Sequence, residues 1–196
     1  MTYVMKNIKA VLFDMDGTLT APNLDWLELR SRVGVPQGTG IMEHIYSLSA
    51  ADAQRADVIV REVELASVQK AVASDGLTEL FTALKDKPWK RALITNNHRE
   101  AMHHVVGVFG LPFDLLLSRE DAQLKPAPDL LLLALERFDI SATEAVFVGD
   151  GRYDRAASAA AGVRYIHLEY DRSKPVEGET IYGLGELLDR LASAPD

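Results

Sequence analysis

The chain is 196 residues long, 47% hydrophobic and 26% charged, values that suit one compact domain with at most a modest insertion and argue against disorder. It has no cysteine, which excludes disulfides, thiolate metal sites and a Cys nucleophile, and no apolar run near the ~20 residues that span a bilayer. A formal net charge of −8 argues against nucleic acid as a partner, and an anionic ligand would need cations gathered locally from a metal, a lysine or helix N-termini.

The first element is a buried strand over 8–13. It is too short and too quickly followed by Asp14 and Asp16 to be a signal peptide, and a cytoplasmic location is expected. The next stretch has no strand pattern. Residues 51–73 contain neither Gly nor Pro, and Val58, Leu65 and Val72 recur at seven-residue spacing beside Ile59, Val63 and Ala66, as one helical face would require. So much helix before a second strand exceeds an ordinary crossover, so residues 21–74 read as a small all-helical cap and 76–87 as the helix that returns to the sheet. The same helices would otherwise belong to the main domain. Four further strands are expected at 91–95, 113–117, 145–148 and 163–168, with helices at 100–109, 128–138 and 152–161 between them. Gly110, Pro112 and Gly162 punctuate these, and a C-terminal helix is expected near 184–191. Alternating strand and helix predicts an α/β fold, a doubly wound, mostly parallel sheet formed by residues 1–20 and 75–196.

Ligands in such sheets bind beyond the carboxyl ends of the strands. Polar clusters stand there: Asp14-Met15-Asp16-Gly17-Thr18, Thr95-Asn96-Asn97, Lys125-Pro126, and Gly149-Asp150 with Asp154. Carboxylates at Asp14, Asp16 and Asp150 would repel by about 4 kcal/mol per pair at ~4 Å and an effective dielectric of about 20. Such a group wants a cation, and all-oxygen ligation with few carboxylates suits Mg²⁺. Gly17 allows a tight turn that Thr18 can hold. Each signal also has a plainer reading. The Asp14–Gly17 stretch fits a simple Asp turn, Asn96 a helix N-cap, Asp154 a first-turn acid and Lys125 a solvated lysine. Their order and placement after successive strands carry the weight.

These clusters resemble the motifs of the haloacid dehalogenase superfamily of hydrolases, in the layout of its phosphoglycolate phosphatase-like members: Phe13-Asp14-Met15-Asp16-Gly17-Thr18-Leu19, Ile94-Thr95-Asn96, Leu124-Lys125-Pro126, and Val148-Gly149-Asp150 with Asp154. The resemblance runs from Ile8 to about Leu168 and includes a helical cap after the first strand. It implies Asp14 as nucleophile and metal ligand. Asp16 would be general acid and then base, with its carbonyl on the metal. Thr95, Asn96 and Lys125 would bind the phosphoryl group, and Lys125 would also restrain Asp14. Asp150 would ligate Mg²⁺, and Asp154 would support that site directly or through water. An Asp at position 16 points to phosphomonoester hydrolysis, with a phosphomutase and a non-catalytic phosphate-binding module as alternatives. The expected partner is a small phosphorylated metabolite, with neither nucleic acid nor membrane, for a monomer or homodimer. Arg30, Arg32, His44 and Tyr46 are candidate substrate contacts in the cap. His98 is close enough in sequence to the second cluster to approach the cleft, whereas His103 and His104 read as surface or packing residues.

Overall fold

The computed structural model describes residues 8–192, so the ends of the expected core, 1–7 and 193–196, lie outside the described residues. Six strands, β1 Ala10–Phe13, β2 Lys90–Ile94, β3 Leu115–Leu117, β4 Ala145–Gly149, β5 Arg164–Leu168 and β6 Thr180–Ile181, form one sheet in the order β3-β2-β1-β4-β5-β6. Every neighbouring pair is parallel. Phe13 lies opposite both Leu93 and Val148, so the ends of β1, β2 and β4 are level. The chain runs one way from β1 to β3 and the other way from β4 to β6, which makes the β1/β4 boundary the switch point where a crevice opens.

Side chains of a strand alternate between faces, and a parallel sheet must be covered on both. Val11 and Phe13 join a core with Leu80 and Leu84 of α4 (Leu77–Leu84), Met102 and Val105 of α5 (Arg99–Phe109) and Leu187 of α8 (Leu184–Ala192). Ala10 and Leu12 join a second core with Leu130 and Ala134 of α6 (Asp129–Phe138) and Ala157 of α7 (Arg152–Ala161). β6 was not expected: two residues carry no periodicity, and it exists by pairing with the end of β5.

Between β1 and β2 lie α1 (Trp26–Val33), α2 (Ile41–Ser47) and α3 (Ala50–Val68). Leu29, Ile45, Ala56 and Val60 bury against one another in a cluster apart from the sheet. The chain enters and leaves this unit through two segments lying side by side: the Ala21 N–H donates to the Val72 carbonyl at 2.8 Å and the Ser74 N–H to that of Leu19 at 3.0 Å. The helical face expected around Val58, Leu65 and Val72 is corrected. Val58 is exposed, Val72 lies beyond the helix and is exposed, and the buried stripe of α3 is Ala56, Val60, Glu64 and Val68. A stripe containing an alanine and a charged residue has no hydrophobic signal, and Glu64 is buried because it meets His98 and Arg119.

Candidate active site

The sheet ladder continues one residue past β1: the Asp14 N–H donates to the Val148 carbonyl at 2.9 Å, which fixes Asp14 beside the end of β4. The chain then turns. The Met15 carbonyl accepts N–H bonds from Thr18, Leu19 and Thr20, and Gly17 sits at φ 76°. A Cβ at Gly17 would lie 2.1 Å from Asp150 Oδ2, so its missing side chain lets the loops after β1 and β4 approach. Gly17→Ala is expected to cost at least about 1–3 kcal/mol from backbone strain alone, before the clash with Asp150, and urea denaturation will read it. A loss well below that range would mean the loop shifts freely.

Lys125 follows β3, and the end of β2 holds it. The Asn96 amide pairs with the Lys125 backbone in both directions, Nδ2 to the carbonyl at 2.8 Å and Oδ1 from the N–H at 2.9 Å. Asn96 is therefore a clamp on the lysine loop, not a helix cap; His98 occupies the N-cap position of α5. The Lys125 ammonium is buried and donates to Asp14 Oδ1 at 2.5 Å, Asp154 Oδ1 at 2.7 Å and the Ile94 carbonyl at 3.0 Å. Asp154, in the first turn of α7, also accepts the Gly151 N–H at 2.9 Å. The carboxylates of Asp14, Asp150 and Asp154 each place an oxygen within 4.8 Å of the others.

Asp14 Oδ1 is held by Lys125, while Oδ2 has only a 3.4 Å contact from Thr18 Oγ1. Asp16 stands apart from the triad. Its Oδ2 accepts from Asn97 Nδ2 at 2.6 Å. Thr95 is buried, and its Oγ1 accepts the Asn97 N–H at 3.1 Å, so the loop after β2 presents Thr95, Asn96 and Asn97 as one braced unit. The role of Asn97 in holding Asp16 was not expected, although it stands in the same sequence cluster.

Burial and crowding push the acids up. Burial and then the Asp154 charge raise Asp14 to about 7, against the opposing pull of Lys125. Burial and then Glu64 raise Asp16 to about 7. Burial, Asp14 and Asp154 raise Asp150 to about 8. Burial disfavours the Lys125 ammonium, but Asp14 and Asp154 outweigh it and hold its pKa above the ordinary lysine value. One ammonium thus faces three carboxylates that repel one another. An all-oxygen donor set with surplus negative charge fits a hard divalent cation.

A cleft of about 840 Å³ opens over this group between the helical unit and the sheet. Asp14, Asp16, Thr95, Asn96, Lys125, Asp150 and Asp154 all line it. Of the expected contacts in the helical unit, Arg30 and Tyr46 line it, whereas Arg32 pairs with Glu62 on the surface at 2.9 Å. His98 is buried against Glu64, with Nδ1 2.7 Å from Oε2, and Arg119 lies in the same cluster near Asp57. His103 and His104 are exposed, as expected. Glu64 and Arg119 line the cleft and were not anticipated, since a Glu inside a helix reads as solvent-facing. Among the described residues no helix is long and apolar enough to cross a membrane.

Residues 8–162 match the model of a hydrolase family described as haloacid dehalogenase-like hydrolase. A haloacid dehalogenase-like hydrolase domain-containing protein of Arabidopsis thaliana is 34% identical over 167 residues, covering 80% of this chain and 68% of the relative. The phosphoglycolate phosphatase of Escherichia coli K12 is 29% identical over 236 residues, covering 97% of this chain and 88% of its own. A hydrolase from Pseudomonas syringae superposes with a TM-score of 0.76 at 20% identity, over 94% of this chain and 100% of the other, and shows the shared fold.

Proposed function

Since the chain belongs to the haloacid dehalogenase-like hydrolase family, it is a hydrolase, and we propose that it is a Mg²⁺-dependent phosphatase that cleaves a small phosphorylated metabolite through a phospho-aspartyl intermediate. The observation that carries this reading is the Lys125 ammonium, 2.5 Å from Asp14 and 2.7 Å from Asp154 at the mouth of the switch-point crevice. Phosphoryl transfer asks mainly for positioning and positive charge around a negative reacting group. A chain of net charge −8 supplies that charge here, where a carboxylate nucleophile stands ready.

In this reading Asp14, Asp150 and the Asp16 carbonyl hold the metal, and Asp154 supports it while fixing Lys125. The ion would draw charge from the phosphoryl oxygens and screen the carboxylates from one another. Asp14 Oδ2, the oxygen that Lys125 does not hold, attacks phosphorus. The bond from phosphorus to the leaving oxygen breaks, and Asp16 gives that oxygen its proton. Water then attacks phospho-Asp14, Asp16 takes a proton from it, and inorganic phosphate and free Asp14 result. An Asp16 raised to about 7 carries a proton near neutrality and can also return to the carboxylate, as both half-reactions require. Thr95 and Asn96 brace the loop that meets the phosphoryl group. Residues 21–74 act as the cap that closes over the substrate.

Turnover of 4-nitrophenyl phosphate with Mg²⁺, compared with the Asp14→Asn protein, is the direct test; equal rates across a broad panel of esters would end this reading. Asp16→Asn is expected to lower kcat by roughly 10²–10⁴ on alkyl phosphates, whose leaving oxygens need a proton, and less on 4-nitrophenyl phosphate. Measuring kcat for both esters checks it. An equal fall on both would remove Asp16 from the acid role.

A further inference from the structure

The cleft is far more than a phosphate pocket. Sites of about 300–1,000 Å³ hold ligands of cofactor size, and at about 840 Å³ this one has room well beyond a two-carbon ester. Its lining includes aromatic side chains. Among the described residues four aromatic side chains are markedly exposed, Trp26, Tyr46, Tyr153 and Tyr170, and the first three line the cleft. Trp26 (57% exposed) and Tyr46 (68%) come from α1 and α2, and Tyr153 (38%) from α7. A Cβ on Gly40 would lie 2.8 Å from Tyr153 Oη, so the helical unit and the sheet domain meet at this edge. Exposed rings that line one cleft mark a binding surface more than scattered surface aromatics do.

Charged residues line the same cleft. The cationic residues lining the cleft are Arg30, Arg119, Lys125 and Arg152. Arg30 donates to the Thr39 and Pro36 carbonyls at 2.7 and 2.6 Å. Arg119 is buried against Asp57 and Glu64, and Lys125 serves the reacting end. Arg152 lies over the Tyr153 ring, 5.0 Å from its centroid. Glu43 and Glu64 also line the cleft; Glu64 is held by His98 and Arg119, and Glu43 accepts the Gly40 N–H at 3.2 Å. Arg119 Nε is buried without a hydrogen-bond partner, and the Arg152 guanidinium is exposed with no carboxylate on it among the described ion pairs, so charge alone does not bar an anion from the far end.

Building on the phosphatase reading above, we propose that the physiological substrate is a phosphomonoester whose leaving group carries an aromatic ring. The ring would lie among Trp26, Tyr46 and Tyr153, which supply planar apolar surface with polar edges. A nucleoside 5′-monophosphate and a phosphorylated pyridine both have this chemistry.

The test compares benzyl phosphate with ethyl phosphate, alkyl esters that differ chiefly in the ring, and with phosphoglycolate, at fixed Mg²⁺. The expected kcat/KM for benzyl phosphate exceeds that for ethyl phosphate by about tenfold or more and also exceeds that for phosphoglycolate. Adenosine 5′-monophosphate and pyridoxal 5′-phosphate then tell the two sources apart. Trp26→Ala and Tyr46→Ala should shrink the benzyl-to-ethyl ratio, mostly through KM, and Trp26→Phe should restore most of it. Leu27→Ala, an exposed neighbour outside the cleft lining, should leave the ratio alone. A ratio near one, a ratio indifferent to Trp26 and Tyr46, or phosphoglycolate as the best ester with its advantage lost in Arg152→Ala would overturn the proposal while leaving the phosphatase intact. Failure to hydrolyse any ester above the Asp14→Asn background would instead overturn the phosphatase reading, and this proposal with it.

Discussion

Asp14→Asn should lower kcat by a factor on the order of 10⁴–10⁶, the scale seen when a nucleophile is removed from a covalent mechanism. An amide oxygen is a poor nucleophile, and two of the neighbouring carboxylates are held elsewhere. Asp154 is fixed by Lys125 and the Gly151 N–H, and Asp16 by Asn97. The same substitution has a second signature, in stability. Asp14 and Asp150 have folded pKa values of about 7 and about 8, above the usual carboxylate range. A carboxyl group with a raised folded pKa holds its proton in the folded state after the unfolded chain has released it. Metal-free stability therefore falls as pH rises from about 4 to about 8 through these groups. Asp14→Asn removes one of the repelling charges, so its denaturation midpoint in EDTA should fall less steeply between pH 5 and pH 8. Addition of Mg²⁺ should raise the midpoint of the unaltered protein more at pH 8 than at pH 5, because protonated carboxyls bind metal poorly. A normal burst of turnover by Asp14→Asn, or a midpoint indifferent to pH, would contradict the assignment.

How far the sequence reaches toward this site depends on the kind of contact involved. The strands around β1 and β4 are legible because both sheet faces are covered, which makes Ala10–Phe13 and Ala145–Gly149 continuous apolar runs. The strand-end acids are legible because a parallel sheet sends its loops to one edge. β6 is not: a two-residue strand is defined by its neighbour. Nor is the buried stripe of α3, where Glu64 takes an inward position. It does so because the His98 N–H donates to its Oε2 at 3.0 Å and the His98 ring lies 2.7 Å away, contacts made across 34 residues. Asn96 illustrates the same limit on a smaller scale. Its position just past the end of β2, among the polar clusters at the strand ends, is visible in the sequence. Its clamp on the Lys125 backbone is a relation between two loops that composition and spacing do not carry.

Lys125→Met separates what that lysine does for catalysis from what it does for the fold. Met keeps an unbranched chain near the Phe147 ring, whose centroid lies 5.3 Å from the ammonium, so packing is largely preserved while the charge is lost. For activity, loss of a preorganised charge at a developing oxyanion lowers kcat by roughly 10²–10³. For stability, removing one member of a buried ion pair costs about 3–5 kcal/mol where its partners stay charged. Here the partners need not stay charged. Lys125 is among the influences that hold Asp14 down, and without it the Asp14 pKa climbs further above 7. At pH 5 Asp14 and Asp150 carry protons and most of the loss is avoided. At pH 8 they hold those protons only in part, and more of the cost returns. Urea denaturation of Lys125→Met should therefore show a deficit that widens from pH 5 to pH 8 and narrows again when Mg²⁺ supplies the missing charge. A deficit of the same size at both pH values, unmoved by Mg²⁺, would mean that Lys125 contributes through packing against Phe147 and not through its charge among Asp14, Asp150 and Asp154.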